Sequence, residues 1–265
     1  MENSLYTLDD SPWFEWVRLA SVDSTNNFLK HYRPVCPKEM TLVTAEFQTA
    51  GRGQAGHVWE SEAGSNLLFS LKCHPRGVEA LRQFVLSQAI ALAVCETLSG
   101  YAEGFSIKWP NDIYWHDRKV CGMLIENALQ GKCIEECVVG VGLNVNQTEF
   151  RGDAPNPVSL RQITGMVHET VFILAGIVRR FKENFRAVGT SGEDGIARRY
   201  AERLYRRAGF HAYEDGGGIF EAEIRGVEPS GHLLLADREG RLRRYAFKEV
   251  RFLLPADGDG PALEV

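Results

Sequence analysis

The sequence predicts an α+β protein: a mixed, largely antiparallel sheet with flanking helices, followed by a small β-barrel. Three features support this prediction. Alternating, β-branched segments separated by turn residues recur between residues 41 and 146, a pattern typical of antiparallel strands. Residues 79–99 are apolar on most sides, as a core helix is. After residue 207 the chain changes to short β segments divided by PSG and REG, which favours a small barrel.

The first hundred residues predict a strand, a helix, a hairpin and the core helix, in that order. Residues 13–20 predict a short strand or an irregular edge, and Asp23 or Ser24 can cap the helix that follows. The segments TLVTAEFQ and LLFSLKC predict two strands joined by a glycine-rich loop. The core helix over 79–99 then stops at Gly100.

The next part of the chain predicts a meander of strands and then helices. The strands are expected in the segments FSIKW, DIYW, KVCGMLIEN and CIEECVVGVGLNVN, and the helices over 158–188 and 193–207. The domain boundary is therefore placed after residue 207. The expected units are a first domain over 1–207, the barrel over 208–256 and a flexible, acidic tail over 257–265.

The composition is that of an ordinary globular chain. With 265 residues, of which 44% are hydrophobic, the chain can bury a full core. A net charge of -5 argues against a strongly basic nucleic-acid-binding protein, because neutralising phosphates needs clustered Lys and Arg. No stretch is expected to reach transmembrane length, and the N-terminus lacks the basic flank of a signal peptide. We therefore expect a cytoplasmic protein with no membrane partner.

The cysteines are scattered along the chain, at Cys36, Cys73, Cys95, Cys121, Cys133 and Cys137. Their spacing does not suit a zinc site, so no zinc is expected. Several lie inside apolar runs, which favours buried, reduced thiols.

A glycine-rich motif, GRGQAG, spans residues 51–56. It matches the dinucleotide-binding pattern G-x-G-x-x-G, but a strand rather than a helix follows it, so the Rossmann interpretation is disfavoured. A flexible loop whose backbone N–H groups and Arg52 close over an anion fits the sequence better. A plain surface hairpin loop is the alternative.

The segment KWPND (108–112) places a lysine, a rigid proline, an amide and a carboxylate within a short span. Beyond a turn at HDR, Lys119 begins a strand in which Gly122 leaves room for a ligand or another backbone. The alternative is a hairpin with solvated charges at its ends.

Two further motifs combine small and polar residues. GVGLNVN (140–146) predicts close packing against its glycines, with Asn144 and Asn146 on one face of a strand. DSTNN (23–27) puts hydroxyls and amides at a helix start, where capping alone is the alternative explanation.

Taken together, these motifs make the chain resemble the biotin–protein ligase family over essentially its whole length. The resemblance rests on DSTN (23–26), AEFQTAGRG (45–53) leading to Trp59, KWPND, DRKVCGMLIE (117–126) and GVGLNVN. It implies a class II synthetase-like catalytic domain followed by an SH3-like barrel. It also implies that biotin and MgATP condense to biotinyl-5′-AMP, and that biotin passes to a lysine of a biotin carboxyl carrier protein, with no tightly bound cofactor.

The resemblance is to the short form of the family. DSTN starts at residue 23, which leaves no room before it for the helix-turn-helix domain of the repressor type. Gln54 follows GRG where repressor-type members carry another arginine, so no positively charged contact is assigned to Gln54.

The matching motifs also imply site residues. Arg52 and Lys119 are the expected catalytic cations, placed between the biotin carboxylate and the α-phosphate. The expected biotin-binding residues are Ser24, Thr25, Asn26, Gln48, Arg52, Gly53, Lys119 and Gly122. The expected ATP- and adenylate-binding residues are Gly51, Arg52, Gly53, Trp59, Asn111, Asp112, Lys119 and Asn144. Asp112 is also a candidate Mg²⁺ ligand, and a candidate base for the acceptor amine unless it pairs with Lys108.

Two other functions fit parts of the sequence. A lipoate or octanoate ligase or transferase uses the same fold on an apolar acyl chain. A non-enzymatic binding module would use the basic residues of the barrel, which are Arg241, Arg243, Arg244, Lys248 and Arg251. A solvated barrel surface balanced by acidic residues is the simpler interpretation, and a homodimer is left open.

With a negative net charge and no expected helix-turn-helix domain, the protein is predicted not to bind DNA sequence-specifically. Fluorescence anisotropy with a panel of duplexes at physiological salt should show no saturable binding. Nanomolar affinity for any duplex would contradict this prediction.

Overall fold

A computed structural model describes residues 13–35, 38–53, 58–152 and 156–254. The predicted tail over 257–265, Cys36 and Gln54 lie outside the described residues.

Seven strands form the large sheet of the described chain. They are β1 (Phe14–Val22), β2 (Met40–Gln48), β3 (Leu67–Cys73), β4 (Phe105–Lys108), β5 (Asp112–Trp115), β6 (Arg118–Gln130) and β7 (Cys133–Leu143). Their spatial order is β1-β2-β3-β7-β6-β5-β4. β1 runs parallel to β2, and the remaining neighbours are antiparallel. The prediction of a mixed, largely antiparallel sheet is confirmed.

Five helices accompany the sheet in the described ranges: α1 (Thr25–His31), α2 (Phe84–Leu98), α3 (Leu160–Thr164), α4 (Thr170–Phe185) and α5 (Glu193–Glu202). α1 packs on β2, β3 and β7, whereas α2 contacts β4 and β5 and is covered by α4 and α5.

The alternation of β3 shows that α1 and α2 cover opposite faces of the sheet. Phe69 and Leu71 belong to the main core with α2, while Ser70 donates a hydrogen bond to α1. All seven β3 residues are buried, because both faces of the strand are covered.

The predicted core helix is present as α2, preceded by a 3₁₀ turn at Ala80–Arg82. Fourteen of the fifteen α2 residues are buried, which explains why its apolar residues show no single stripe. The expectation that no stretch reaches transmembrane length is wrong by length and composition, because Ala80–Leu98 passes that test. That stretch is 78% buried inside the protein, as the core helix of a folded domain is.

The prediction of one continuous helix over 158–188 is wrong, because this segment forms two helices. Ser159 and Gln162 form a capping box that starts α3, and Gly165, at φ 75°, ends it in the left-handed conformation. α4 then begins only at Thr170.

The helix predicted over 193–207 is too long at its C-terminal end. The Ile107 N–H donates to the Arg203 carbonyl and the Tyr205 N–H donates to the Ile107 carbonyl, at 2.8 and 2.9 Å. After α5 ends at Glu202, the backbone therefore forms hydrogen bonds with edge strand β4 instead of continuing the helix. The boundary predicted after residue 207 falls between α5 and the next strand.

The C-terminal segment forms a second, five-stranded antiparallel sheet. Its strands are β8 (His211–Asp215), β9 (Gly218–Val227), β10 (Leu233–Asp237), β11 (Leu242–Tyr245) and β12 (Arg251–Phe252). They lie in the order β11-β10-β9-β8-β12. Trp109 of the large domain donates to the Gly231 carbonyl at 2.9 Å, and Tyr205 stacks on Phe252. The second sheet therefore packs against the KWPND turn and the end of the α5 region.

Most basic residues of the second sheet are paired with acids. Arg241 and Arg243 both bind Asp237, Arg244 binds Glu228, and Arg251 binds its cross-strand neighbour Glu214. This arrangement supports the balanced, solvated surface over a basic binding module.

The cysteines in apolar runs, Cys95, Cys121 and Cys137, are buried free thiols, as predicted, and so is Cys73. Cys133 is exposed at the start of β7. Burial raises the pKa of the Cys95 thiol to about 12, so it stays protonated.

We predict that Leu92→Ala in α2 lowers the free energy of unfolding by about 2–5 kcal/mol, because it opens a cavity in a fully buried site. Leu81→Ala is the matched control, since Leu81 is 77% exposed and its truncation should change stability by no more than about 0.5 kcal/mol. Urea denaturation measures both, and equal losses would contradict the assignment of α2 as the core helix.

Candidate active site

A cavity of about 570 Å³ lies on the face of the large sheet that carries α1. The structure brings most of the predicted site residues to it. Those lining it are Ser24, Thr25, Asn26, Gln48, Arg52, Gly53, Trp59, Asp112, Lys119, Gly122 and Asn144. Four segments that are far apart in sequence therefore converge on one space.

Glycines on β6 and β7 make the floor of this cavity. Gly122 lies opposite Gly142, and Leu124 lies opposite Gly140, so the glycines share one face. A Cβ atom on Gly140 would overlap the Asn26 amide, and one on Gly122 would lie 2.8 Å from the Trp59 ring. The close packing predicted at these glycines is thus provided by two side chains of the site itself.

The Trp59 ring packs against the floor at Gly122 and Gly142. Its indole Nε1 is buried and has no hydrogen-bond partner within the described residues. A buried donor of this kind is costly unless another group satisfies it. Because Nε1 is enclosed by the protein, Trp59 is placed to pack its ring against a ligand rather than to donate to one.

A hydrogen-bonded chain of four polar residues marks one end of the cavity, which Thr25, Asn26 and Gln48 line and Ser70 supports from behind. Gln48 Oε1 accepts from the backbone N–H of Thr25 at 2.8 Å and from the Thr25 hydroxyl at 3.1 Å. Because a backbone N–H can only donate, the oxygen of Gln48 must face Thr25, which leaves Nε2 as the end available to a ligand. The Ser70 hydroxyl lies 2.7 Å from Thr25 Oγ1 and 2.6 Å from Asn26 Oδ1.

Capping does not explain the DSTN motif. Ser24 occupies the N-cap position of α1, but its side chain makes no capping hydrogen bond. Asp23 instead accepts from Asn27 at 2.7 Å. Ser24 is 2% exposed and lines the cavity. Its hydroxyl is therefore available to a ligand instead of capping the helix.

Lys119 reaches the cavity because of an irregularity in the β5–β6 pairing. Ile113 lies opposite Cys121 but Tyr114 lies opposite Lys119, so Val120 is an extra residue. Lys119 and Gly122 are three residues apart and would otherwise point to opposite faces. The shift brings the Lys119 ammonium next to Gly122 and 2.7 Å from Asp112 Oδ2.

Asp112 does not take the alternative pairing with Lys108, because its carboxylate binds Lys119. Lys108 instead donates to the Tyr114 hydroxyl at 3.0 Å and lies over the Tyr114 ring. Burial lowers the pKa of Lys108 to about 8, although the nearby Asp112 charge opposes that shift.

The second cavity cation, Arg52, is also paired with a carboxylate. Its guanidinium lies 3.1 Å from Glu126 Oε1 and 2.9 Å from Asn27 Oδ1. Both cations predicted to grip anions are thus held by acidic side chains of the protein.

Two predicted site residues do not line the cavity. Asn111 is 4% exposed and donates to Ser87 at 3.0 Å, and it faces an adjoining cavity of about 440 Å³. The carbonyl of Gly51 accepts from the Trp59 N–H at 3.0 Å, which closes the base of the loop.

The expectation that Asn144 and Asn146 share a strand face is wrong, because β7 ends at Leu143. Asn144 donates to the Val158 carbonyl at 3.3 Å and still lines the cavity. Asn146 is bound by both its amide atoms to the His168 backbone.

Comparison with known proteins agrees with this geometry. The Biotin/lipoate A/B protein ligase family matches residues 19–144. The biotin–[acetyl-CoA-carboxylase] ligase of Paracoccus denitrificans is 32% identical over 237 residues, which cover 84% of this chain and 95% of that protein. This chain belongs to the biotin–protein ligase family.

Other members of the biotin–protein ligase family resemble the chain in sequence and in structure. The bifunctional ligase/repressor BirA of Escherichia coli is 37% identical over 241 residues, covering 88% of this chain and 72% of that protein. A biotin protein ligase from Aquifex aeolicus, solved in complex with biotin and ATP, superimposes with a TM-score of 0.75 at 27% identity, over 91% of this chain and 99% of that one. The chain spans 65% of the length of the ligase/repressor of Bacillus spizizenii.

Several residues in or beside the site were not predicted from the sequence of this biotin–protein ligase family member. Phe247 and Lys248, in the turn between β11 and β12, reach the cavity from the second sheet, which no local pattern reveals. Ser70 could have been found from the sequence, because it is a lone hydroxyl in an apolar strand. Glu126 was readable as the last residue of the motif DRKVCGMLIE.

No group of three or more His, Cys, Asp or Glu residues in the described ranges is arranged to hold a metal ion. The absence of zinc stays a prediction, since Cys36 and His57 lie outside those ranges.

We predict that Gly142→Ala displaces the Trp59 indole, because the added methyl would occupy the position of the ring. Acrylamide quenching of tryptophan fluorescence should increase, and the increase should disappear in a Trp59→Phe background. Gly195→Ala is the matched control, because nothing lies within 4 Å of its added Cβ. Unchanged quenching in Gly142→Ala would show that the indole does not lie on the glycine floor.

Proposed function

We propose that this protein is an ATP-dependent biotin–protein ligase. It would activate biotin with MgATP to biotinyl-5′-AMP and transfer biotin to a lysine of a biotin carboxyl carrier protein. One observation carries the proposal: a buried hydroxyl and amide cluster and two cations, Arg52 and Lys119, line the same cavity. A ligand with a polar ring at one end and an acidic group at the other fits that arrangement.

The polar end suits the ureido ring of biotin. That ring has one carbonyl acceptor and two N–H donors, and the cavity offers both kinds of partner. Gln48 Nε2 can donate, and the oxygens of Ser24 and Thr25 can accept. Each buried partner left unpaired would cost about 1–3 kcal/mol, so these residues select for the ring.

The adenylation step needs two anions to meet. A biotin carboxylate oxygen attacks the α-phosphorus of ATP, the bond to the β-phosphate oxygen breaks, and pyrophosphate leaves. Arg52 and Lys119 lower the repulsion between the carboxylate and the phosphate, and Trp59 offers an aromatic face for the adenine. To bind the phosphate, Lys119 must loosen its contact with Asp112, whereas Arg52 can donate from its remaining N–H groups while Glu126 holds it.

The transfer step uses the activated anhydride directly. The acceptor amine nitrogen attacks the acyl carbonyl, AMP leaves, and the nitrogen loses a proton. An ordinary lysine has a pKa of about 10.4, so a base near the carbonyl helps. Asp112 becomes available for this role when Lys119 turns to the phosphate. The adjoining cavity shares Leu124, Phe247 and Lys248 with the first and offers the acceptor side chain a way in.

The site fits Mg²⁺ as part of a nucleotide complex rather than as a protein-held ion. Mg²⁺ prefers oxygen ligands, keeps several waters and is usually bound through one or two carboxylates plus phosphates. Asp112, whose side chain is 25% exposed, offers one such carboxylate. A bound Mg²⁺ would neutralise phosphate charge.

A lipoate or octanoate ligase is the second candidate, because the matching family includes lipoate ligases. An apolar acyl chain would leave the Gln48 Nε2 donor at the polar end of the cavity without a partner, so this end favours biotin. Incubation with ATP, Mg²⁺ and each acid in turn, followed by detection of the acyl-adenylate, tests the choice. We expect the biotinyl adenylate alone; lipoyl or octanoyl adenylate without the biotinyl species would overturn the proposal.

We predict that Lys119→Ala lowers adenylate formation by about 10²–10³-fold or more while the protein stays folded, because it removes a cation from the reacting atoms. Lys132→Ala is the matched control, since that exposed lysine lies in the β6–β7 turn away from the cavity. Single-turnover formation of biotinyl-AMP and circular dichroism measure the two effects. Native rates in the folded Lys119→Ala variant would exclude the role given to this lysine.

A further inference from the structure

Glu126 stands at the centre of a polar network that joins three elements around the cavity. Its side chain accepts from Asn26 Nδ2 at 2.9 Å and from Lys30 Nζ at 2.7 Å, both in α1. It also lies 3.1 Å from Arg52 in the glycine-rich loop. Glu126 itself is in β6, on the same face as Gly122 and Leu124.

The contact with Glu126 fixes which end of the Asn26 amide faces the cavity. An ionised carboxylate has no hydrogen to donate, so only the NH₂ end of Asn26 can face it. The same NH₂ group lies 3.2 Å from the Leu124 carbonyl, which also only accepts. Asn26 Oδ1 is therefore turned toward Ser70 and presents an acceptor to the polar end of the cavity.

Glu126 also fixes the Arg52 guanidinium. Both nitrogens of the guanidinium fork contact the carboxylate, with Nη1 at 3.5 Å and Nη2 at 3.1 Å. Asn27 holds Nη1 from the other side at 2.9 Å. The Arg52 side chain is 41% exposed, so these polar contacts rather than packing determine where it points.

We propose that Glu126 is the positioning residue of this site: it orients the Asn26 amide for the ring of the acid substrate and holds Arg52 beside the position of its carboxylate. The proposal rests on the proposed function, because it assigns both partners of Glu126 to one ligand. Glu126 itself does not touch that ligand.

Glu126 is ionised at neutral pH. Partial burial raises the pKa of its carboxyl, but hydrogen bonds from Lys30 and Asn26 and the charges of Lys30 and Arg52 outweigh burial and leave the pKa below its ordinary value. The acceptor-only form that the orientation argument requires is therefore the form present.

The experiment compares biotin binding to the native protein and to Glu126→Gln by isothermal titration calorimetry without ATP. The expected result is a dissociation constant raised about tenfold to a hundredfold, because the introduced amide can turn its own NH₂ group toward Asn26 and carries no charge for Arg52. A folded Glu126→Gln variant that binds biotin within about twofold of the native value would overturn the proposal.

Glu136→Gln is the matched control. Glu136 is 22% exposed, against 24% for Glu126, and pairs with Lys72 at 3.1 Å on the neighbouring strand, away from the cavity. It should leave the biotin dissociation constant within about twofold of native. An equal loss of affinity in Glu136→Gln would show that any lost ion pair on the sheet has this effect, and would also overturn the proposal.

The double variant Glu126→Gln, Asn26→Asp exchanges the amide and the carboxylate between the two positions. The NH₂ group introduced on β6 can then donate to one oxygen of the carboxylate introduced on α1, while the other oxygen still faces Ser70. We expect the double variant to bind biotin at least about fivefold more tightly than either single variant. Losses that simply multiply would contradict the orientation argument, and this comparison with Asn26→Asp holds even if Glu126→Gln alone does not fold.

Failure of the proposed function gives a different result. If the native protein binds no biotin at all, the function is wrong and the role of Glu126 falls with it. If the native protein binds biotin and Glu126→Gln binds it equally, the function stands and only the positioning role is lost.

Discussion

The cavity depends on one constraint: where it lies, the central strands β6 and β7 carry apolar side chains on the core face and glycines at Gly122, Gly140 and Gly142 on the other. Cys137, Val139 and Val141 fill the core beneath α2, while Gly140 and Gly142 leave the opposite face bare. Helix α1 and the glycine-rich loop can then bring Asn26 and Trp59 down onto the backbone. Any larger residue at these positions would lift both side chains and close the space between them.

Charge compensation follows from this close packing. Arg52 and Lys119 lie in a partly desolvated space, where an unpaired cation would be costly. Each is held by a carboxylate, Glu126 or Asp112, at 3.1 and 2.7 Å. An anionic ligand would therefore displace Asp112 from Lys119, and would bind Arg52 through the N–H groups that Glu126 leaves open. The exchange at Lys119 would release Asp112, which links binding of the phosphate to availability of a base.

Much of the fold was predictable because its signals are local. Alternation in TLVTAEFQ and the glycine pattern of GVGLNVN identify strands, and the order of motifs identifies the family. The break between α3 and α4 was also encoded locally, in Ser159, Gln162 and Gly165, but the continuing apolar pattern masked it. The partner of Asp112 was not predictable, because it depends on a one-residue register shift between β5 and β6. Phe247 and Lys248 reach the site only through the packing of the second sheet.

The central claim is that one cavity binds both biotin and the nucleotide, with Arg52 and Lys119 where the biotin carboxylate meets the α-phosphate. A crystal structure with a non-hydrolysable biotinyl-adenylate analogue, its phosphate replaced by a sulfamoyl group, tests this claim most directly. The account predicts the ureido ring beside Ser24, Thr25 and Gln48, and the sulfamoyl oxygens within hydrogen-bonding distance of Arg52 and Lys119. An analogue bound elsewhere, or bound here with Lys119 still held by Asp112 and Arg52 turned away from it, would contradict it.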